Sequence, residues 1–287
     1  MIWHDMPSPF TGTSLPAFNL LRYLGVKHNI ILISFKERSA EPRYIYDLSQ
    51  YCEVIEPIEI VIPPSQLKAI LYAIKNSLNP RNLIPNNFSY FNLYYMPRMQ
   101  RKINELLVNR NFDLIYTSPY VPYYVQNVNL PKVIHSYDCL TETWLRIYRN
   151  RKNTPEKLFY WLQYMRIRQY EGNIFRKFDA CILASATERK KLNSFFSNIN
   201  SFVVPNGVDC EFFPPTVGAE ERPYVVFVGA MSTHANECAM LDFCANIWGI
   251  VKKRIPAAKL YIVGRDPSKE IKDLAQDTSI VITGYVE

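Results

Sequence analysis

Hydrophobic and polar positions along the chain predict helices that lead into short, buried strands. Residues 14–24, "SLPAFNLLRYL", combine a Ser, an early Pro and leucines at helical spacing, and the apolar run "NIILISF" follows and ends near Phe35. The same order of helix and strand recurs at residues 99–110, where a helix pattern precedes the strand "DLIYTS". A further strand, "KVIHSYD", comes next. The first part of the chain is therefore predicted to alternate helix and strand.

The stretch after residue 150 continues this alternation. Residues 155–177 predict a long amphipathic helix, and "FDACILAS" predicts a strand that enters the helix "ATERKKLNSFF". The strands are continuous apolar runs with no alternation of period two, which is typical of a parallel sheet covered by helices on both faces. The pattern predicts the α/β fold class.

A break in the pattern divides the chain in two. In "FVVPNGVDCEFFPP", residues 202–215, a strand runs into Asn206-Gly207, a turn that tolerates positive φ, and then into prolines and the acidic "GAEERP". After Pro223 the pattern restarts with three strands and two helices, the first helix over residues 235–254. We predict an N-terminal domain at 1–205, a hinge at 206–223 and a second domain at 224–287.

Two features at the ends of the chain lead us to expect a truncated protein. The second domain has only three predicted strands, fewer than an open doubly wound half normally has, so we expect it to be incomplete. The opening "MIWHD" resembles the tail of a first strand. No basic region followed by a long apolar stretch opens the chain, and no apolar run approaches the ~20 residues that span a bilayer, so we expect a cytoplasmic protein.

Composition and charge indicate a globular protein with one strongly basic segment. With 48% apolar and 21% charged residues, the 287-residue chain is neither disordered nor fibrous. Its six cysteines form no CxxC pair, so we expect reduced structural thiols. Of the net charge of +7, residues 143–177 contribute nine Arg or Lys against two Glu. This segment either contacts an anionic membrane or forms a solvated helix face; no binding module for nucleic acid is present.

Several stretches, in order and spacing, carry a family resemblance. "VVPNGVDCEFF", "VVFVGAMSTHANECAML", "PAAKLYIVGRDPSKEIKDLA" and "IVITGYVE" resemble the hinge and the opening of the donor domain in GT-B glycosyltransferases, in particular the retaining family 4 group of exopolysaccharide and surface-glycan assembly. "PSPFTGTSLPAFNLLRYL" and "FDACILASATERKKL" match more faintly. The resemblance implies two Rossmann-like domains and a hexosyltransferase that takes a nucleotide-sugar as substrate, without a cofactor. The acceptor would be a glycan or a lipid-linked glycan, reached by peripheral contact of residues 143–177 with the inner face of the cell membrane.

The resemblance also implies where the donor phosphates bind. Gly229 ends a strand shortly before a helix, so its loop can present backbone N–H groups and the positive end of the helix dipole to a diphosphate. The alternative is a glycine needed only for a tight turn. Many relatives carry Arg and Lys where this chain has Ala230 and Ala235, so Asn236 and Arg265 become the candidate donors, unless Arg265 is an ordinary exposed arginine.

Further candidates lie in the first domain. The loop "TGTS" comes where the family approaches donor phosphate and acceptor: Gly12 and Thr13 are assigned to the phosphates, and Thr11 and Ser14 to the acceptor. Ser14 could equally be an ordinary helix cap.

"HSYD" supplies the catalytic candidates His135 and Asp138, with Glu142 on the acceptor side. A His beside an apolar strand can also be structural, and the family's common His-Asp pair would place the His at position 137, where this chain has Tyr137.

Two absences and two rival functions complete the sequence-based interpretation. The chain has no Asp-x-Asp and no zinc spacing, so we predict no metal, and it ends before the paired glutamates with which the family holds the sugar and ribose. One rival is a non-catalytic remnant that binds a glycan or a membrane. The other is a different nucleotide-sugar enzyme of the same fold, such as an epimerase or a hydrolase.

Overall fold

The computed structural model describes residues 1–9, 14–37, 43–60, 94–151, 155–214 and 222–286. The chain divides into two compact units, Met1–Val208 and Asp209–Glu287, and the boundary falls inside the predicted hinge at 206–223. Each unit is an α/β structure with its own parallel sheet and its own hydrophobic core.

The first unit is built on a sheet of eight strands whose pairings are all parallel. The order is β3-β2-β1-β5-β6-β7-β8. The first residues of β2 pair with β3, and its later residues, from Phe35 to Glu37, pair with β4. The strands are β1 Ile2–Trp3, β2 Ile31–Glu37, β3 Glu53–Val54, β4 Ile58–Ile60, β5 Ile115–Thr117, β6 Lys132–Tyr137, β7 Ala180–Leu183 and β8 Ser201–Val203.

Helices connect these strands much as the periodicity predicts. They are α1 Leu15–Leu24, α2 Arg43–Ser49, α3 Pro97–Asn109, α4 Leu140–Arg149, α5 Pro155–Phe175 and α6 Ala186–Phe195, with a 3-10 turn at Pro122–Tyr124. The start of α6 follows local rules, because the Ser185 hydroxyl accepts a hydrogen bond from the Glu188 backbone N–H at 3.1 Å, a standard N-cap.

Alternate residues of the first sheet enter two separate cores. On β1, Ile2 belongs to a large core into which α3, α5 and α6 pack, whereas Trp3 belongs to a smaller core under α1 and α2. Helices therefore cover both faces of the sheet, which explains why the strands are apolar throughout.

The second unit has three parallel strands in the order β11-β10-β9: β9 Tyr224–Val228, β10 Lys259–Val263 and β11 Ile280–Gly284. The helix predicted at 235–254 is α7 His234–Phe243, a π-helical stretch Cys244–Trp248, and α8 Gly249–Arg254. A short α9, Lys269–Asp273, and a 3-10 turn, Leu274–Gln276, precede β11. Trp248 is buried in this core, and its indole N–H donates to the Ser279 hydroxyl at 3.0 Å.

Two details differ from the sequence-based expectations. Gly207 does not adopt positive φ; the described glycines that do are Gly264 and Gly284. We expected structural thiols, but only some of the free cysteines are buried, since Cys210 and Cys238 are exposed. The other four are Cys52, Cys139 and Cys181, which are buried, and Cys244, which is half-buried.

Candidate functional site

The candidate site in the first unit lies where the central strands end. Ligands of open parallel sheets bind beyond the carboxyl ends of the strands, and polar side chains follow three neighbouring strands here. His4 comes directly after β1, Ser118 after β5, and His135 lies near the end of β6. These strands are adjacent, in the order β1-β5-β6.

His135 is buried among aromatic rings. Its Nδ1 lies 2.7 Å from the Tyr116 hydroxyl, and its ring centroid lies 4.1 Å from that of Tyr137 and 6.3 Å from that of Trp3. Burial lowers the pKa of His135 to about 4, so the imidazole is neutral at pH 7. Burial also raises the pKa of Tyr116, which keeps its hydroxyl protonated. Two neutral groups therefore form a single hydrogen bond at Nδ1, and the tautomer of His135 decides which of them donates it.

Several polar atoms around His135 have no hydrogen-bond partner within the described part of the chain. They are Nε2 of His135, Nε1 of Trp3 and the hydroxyl of Tyr137. Buried polar atoms are usually paired, so a group of unpaired ones in contacting rings indicates a place where a polar ligand or a water completes the arrangement. His135 can offer a neutral imidazole nitrogen to such a ligand.

Tyr137 carries local backbone strain. Its φ is 58°, and the Asp138 backbone N–H donates to the Ser136 carbonyl at 2.6 Å, which closes a three-residue γ-turn around it. The Ser136 hydroxyl donates to the Asp138 carbonyl at 2.8 Å and so braces the same turn. Strain of this kind is concentrated at functional sites.

Asp138 and Glu142 lie in a different environment from His135. Asp138 lies at the surface, where the surrounding protein removes part of its hydration. This loss of water, together with the Glu188 carboxylate, raises the pKa of Asp138, while Lys191 and Arg146 oppose the shift. Glu142 lies in the first turn of α4, and its charge acts on Lys191. The two catalytic candidates thus differ in surroundings: His135 belongs to an aromatic cluster and Asp138 to a group of charges between α4 and α6.

Carboxylates from other helices occupy the beginning of α4. The backbone N–H groups of Leu140 and Thr141 each donate to Glu171 at 2.9 Å, and that of Cys139 donates to Glu188 at 2.9 Å. The N–H groups of a first helical turn need such acceptors. The amides that could bind an anion here are already hydrogen-bonded within the protein.

Glu171 is a fully buried carboxyl group that the sequence-based prediction did not single out. Burial raises the pKa of Glu171 to about 7, and hydrogen bonds from the α4 backbone counteract part of that rise. The signal was available, because Glu171 follows Ile167 and Tyr170 on the inward stripe of α5, where an acidic residue needs a partner.

His4 is a second group that was missed. Its ring centroid lies 4.4 Å from that of Tyr120 and 5.7 Å from that of Tyr94, and burial lowers its pKa to about 3. His4 precedes Asp5 directly after β1, a position from which side chains commonly reach a ligand. Its place after a two-residue strand gave no recognisable motif.

The structure describes only the last residue, Ser14, of the predicted "TGTS" loop. Thr11, Gly12 and Thr13 lie outside the described residues. Ser14 is buried at the residue before α1, and its hydroxyl donates to the Ser8 carbonyl at 3.2 Å. The Ser14 side chain makes no capping hydrogen bond to α1, so Ser14 is not the ordinary helix cap that we considered as an alternative.

In the second unit, Gly229 and Asn236 form one compact turn. The Asn236 amide donates to the Ala230 carbonyl at 3.0 Å, and a Cβ on Gly229 would lie 2.7 Å from that same amide nitrogen. The Gly229 N–H donates to the Val263 carbonyl at 3.0 Å. Asn236 therefore braces the turn between β9 and α7, and both residues have a packing role besides any ligand role.

The end of β10 lies directly against this turn. A Cβ on Gly264 would come within 1.7 Å of the Gly229 carbonyl oxygen, and the φ of Gly264 is 154°. The Met231 N–H donates to the Arg265 carbonyl at 3.0 Å, while the Arg265 side chain is exposed. Gly229, Asn236 and Arg265 are thereby brought together where the carboxyl ends of β9 and β10 meet the first turn of α7.

The model for glycosyltransferase family 4 matches residues 17–212. This region is more than half of the chain. The chain belongs to glycosyltransferase family 4.

Solved structures share the fold of this family 4 chain. Alr3699/HepE of Anabaena, in complex with UDP-glucose, is 12% identical, with a TM-score of 0.54 over 100% of this chain and 69% of its own. The trehalose 6-phosphate synthase of Burkholderia multivorans is 8% identical, with a TM-score of 0.52 over 100% of this chain and 73% of its own. These likenesses confirm the predicted α/β, GT-B class of fold.

The aligned region is shorter in the comparison with TarM. TarM is 15% identical with a TM-score of 0.43, and the aligned region covers 66% of this chain but only 36% of TarM. A comparison with curated protein sequences gave no match.

The part of the family 4 chain that the structure describes contains no group of three His, Cys, Asp or Glu residues placed to hold a metal ion. Within the same residues, no helix is both long and apolar enough to cross a membrane.

Proposed function

We propose that this family 4 protein transfers a sugar from a nucleotide-sugar to a glycan or lipid-linked acceptor, with retention of anomeric configuration. The family match over residues 17–212 carries the proposal. We further propose that the transferred group is a hexose and that the product belongs to a polysaccharide or surface glycan. The family resemblance of the "VVPNGVDCEFF" and "IVGRDP" stretches supports this assignment.

The turn at Gly229 is the proposed donor site. Two structures of similar fold, Alr3699/HepE of Anabaena and UGT71G1 of Medicago truncatula, were solved with UDP-glucose. In this chain the N-terminus of α7 follows Gly229, and helix N-termini favour phosphate. Since positions 230 and 235 are alanines, the exposed guanidinium of Arg265 would supply the positive charge.

Stabilising the leaving diphosphate is the largest catalytic task in the proposed mechanism. The acceptor hydroxyl bonds to the anomeric carbon from the face that the diphosphate leaves, and its proton passes to the departing diphosphate. Charge develops on the phosphate oxygens as the sugar–oxygen bond breaks. Arg265 and the backbone amides of the first turn of α7 would stabilise that charge. His135, neutral at pH 7, would bind a sugar or acceptor hydroxyl through Nε2.

Calorimetric titration with UDP, GDP, UDP-glucose and GDP-mannose tests the donor site. We expect one nucleotide series to bind, and Arg265→Gln to weaken it about tenfold or more, as expected for a lost charged hydrogen bond. Arg254→Gln, at the end of α8 in the same unit, is the control and should bind as the unaltered chain does. Absence of binding by every nucleotide would overturn the proposal and favour a non-catalytic role in glycan binding.

A further inference from the structure

Helix α5 carries two apolar stripes on opposite sides. The inward stripe includes Ile167, Tyr170 and Ile174, all buried in the larger core of the first unit. A second stripe faces solvent: Leu158, Trp161, Leu162 and Met165 are 62%, 40%, 37% and 42% exposed. Their spacing of three, four and seven residues is that of an apolar helix face, which normally packs against something.

The outward stripe, defined by Leu158, Trp161, Leu162 and Met165, continues into a groove of about 510 Å³ between α5 and the end of α6. Phe195 and Phe196 contribute apolar surface to this groove. A Cβ on Gly172 would lie 2.8 Å from the Phe196 ring, so this glycine allows Phe196 to pack closely against α5. The groove is therefore built by local packing and has an apolar floor.

Arginines surround this apolar surface. Arg166, Arg168 and Arg176 line the groove, and the guanidinium of Arg168 lies 6.0 Å from the centroid of the Phe195 ring. Among the described residues that line it, none is Asp or Glu. The surface thus combines large apolar side chains with several positive charges, a combination that needs a partner both apolar and anionic.

We infer that the outward stripe and the arginine groove dock the protein on an anionic lipid bilayer. Apolar residues with a Trp favour the boundary between acyl chains and headgroups, and flanking arginines bind lipid phosphates. A second copy fits less well, because two surfaces rich in Arg would repel each other. Nucleic acid fits less well, because contacts to its phosphates leave four large apolar side chains without a partner.

Such docking would place the first unit beside a lipid-linked acceptor, so its purpose rests on the proposed sugar transfer. Its test does not, because vesicle binding requires no sugar. If vesicle binding fails while nucleotide binding persists, a soluble acceptor is indicated and the donor proposal stands.

The test is co-sedimentation of the full 287-residue chain with vesicles. One set is phosphatidylcholine alone, and the other contains about a third phosphatidylglycerol, an anionic lipid. One variant combines Arg168→Gln with Arg176→Gln, and a second combines Leu158→Ser with Trp161→Ser. The control combines Arg22→Gln with Lys27→Gln, which removes equal charge at and just beyond the end of α1, on the opposite face of the sheet.

We expect binding to the anionic vesicles only, weakened about fivefold for each arginine removed and therefore about 25-fold in the double variant. The serine variant should also lose binding, and the control should not. Circular dichroism verifies that each variant is folded. Equal binding to both vesicle sets, no binding, unchanged binding by the arginine or serine variant, or dimerisation through the stripe would each overturn the inference.

Discussion

The buried carboxyl group of Glu171 makes the stability of the first unit depend on pH. This side chain accepts hydrogen bonds from the backbone of Leu140 and Thr141, and burial raises its pKa from an ordinary value of 4.5 to about 7. Between these two values the folded protein holds a proton that the unfolded chain has released. The contribution to stability is therefore complete below pH 4.5 and is lost as the pH rises through 7.

The size of the effect follows from the two pKa values. A pKa difference of about 2.5, at about 1.4 kcal/mol for each pKa unit, corresponds to about 3.5 kcal/mol between low and high pH. Solvent does not screen the Glu171 carboxyl group, because this side chain is fully buried. Glu171→Gln removes the titrating group, so the free energy of unfolding of this variant should fall less over the same pH range.

Urea unfolding between pH 5 and pH 8 measures this difference. The two units need not unfold together, so Trp248→Phe is used as the background, which leaves Trp3, Trp144 and Trp161 to report the first unit by fluorescence. The slope against pH is compared and the absolute stability is not, because the Gln amide cannot replace both carboxylate oxygens as acceptors.

We expect the free energy of unfolding to fall between pH 5 and pH 8 by about 2 to 3 kcal/mol more in the protein that keeps Glu171 than in Glu171→Gln. Parallel slopes for the two proteins would contradict a raised pKa of Glu171. They would show that the hydrogen bonds from α4 outweigh burial and keep Glu171 ionised.

Three further predictions concern the sheet ends. Gly264→Ala should destabilise the second unit by about 2 kcal/mol or more in thermal unfolding, since its Cβ would clash with the backbone 1.7 Å away, whereas Gly249→Ala has open space and should be neutral or stabilising. Tyr116→Phe should cost the first unit about 1 kcal/mol by leaving His135 Nδ1 unpaired, and equal stability of Tyr116→Phe and the exposed control Tyr46→Phe would contradict this. His135→Gln should lower sugar transfer about tenfold or more, and the rate of the parent should show no step from this imidazole between pH 6 and pH 8, since its pKa is about 4; a His135-dependent step there would argue against burial of the ring.

Sequence periodicity predicted the elements well because the same burial that shapes the pattern shapes the fold. The expected helix at 14–24 is α1, Leu15–Leu24, and the expected helix at 155–177 is α5, Pro155–Phe175. The π-helical stretch Cys244–Trp248 was not predictable, because a local change of hydrogen-bond pattern leaves the apolar spacing almost unchanged.

The candidate site was less predictable, since it depends on which side chains meet across strands. His135 was selected from its position after an apolar run, but its contacts with Trp3 and Tyr116 come from neighbouring strands that lie far apart in sequence. The strain at Tyr137 is likewise a backbone property that no residue pattern shows. Asp138, only three residues from His135, lies among charges instead.

The outward stripe on α5 shows a further limit of periodicity. A window containing Leu158, Trp161 and Leu162 predicts an amphipathic helix, but it does not tell which face is buried. The structure buries Ile167 and Tyr170 and leaves the first set exposed. Only the packed fold separates the inward stripe from the outward one.

The proposed sugar transfer with retention of configuration is tested by proton NMR of the products formed from a bound nucleotide-sugar. The chain is incubated with UDP-glucose or with whichever donor binds in calorimetry, together with vesicles that carry lipid-linked acceptors. We predict release of the nucleoside diphosphate and a product whose first-formed anomeric signal has the configuration of the donor, with both signals reduced in His135→Gln. Absence of nucleotide release with every donor that binds would contradict sugar transfer, and a first-formed product of inverted configuration would contradict retention.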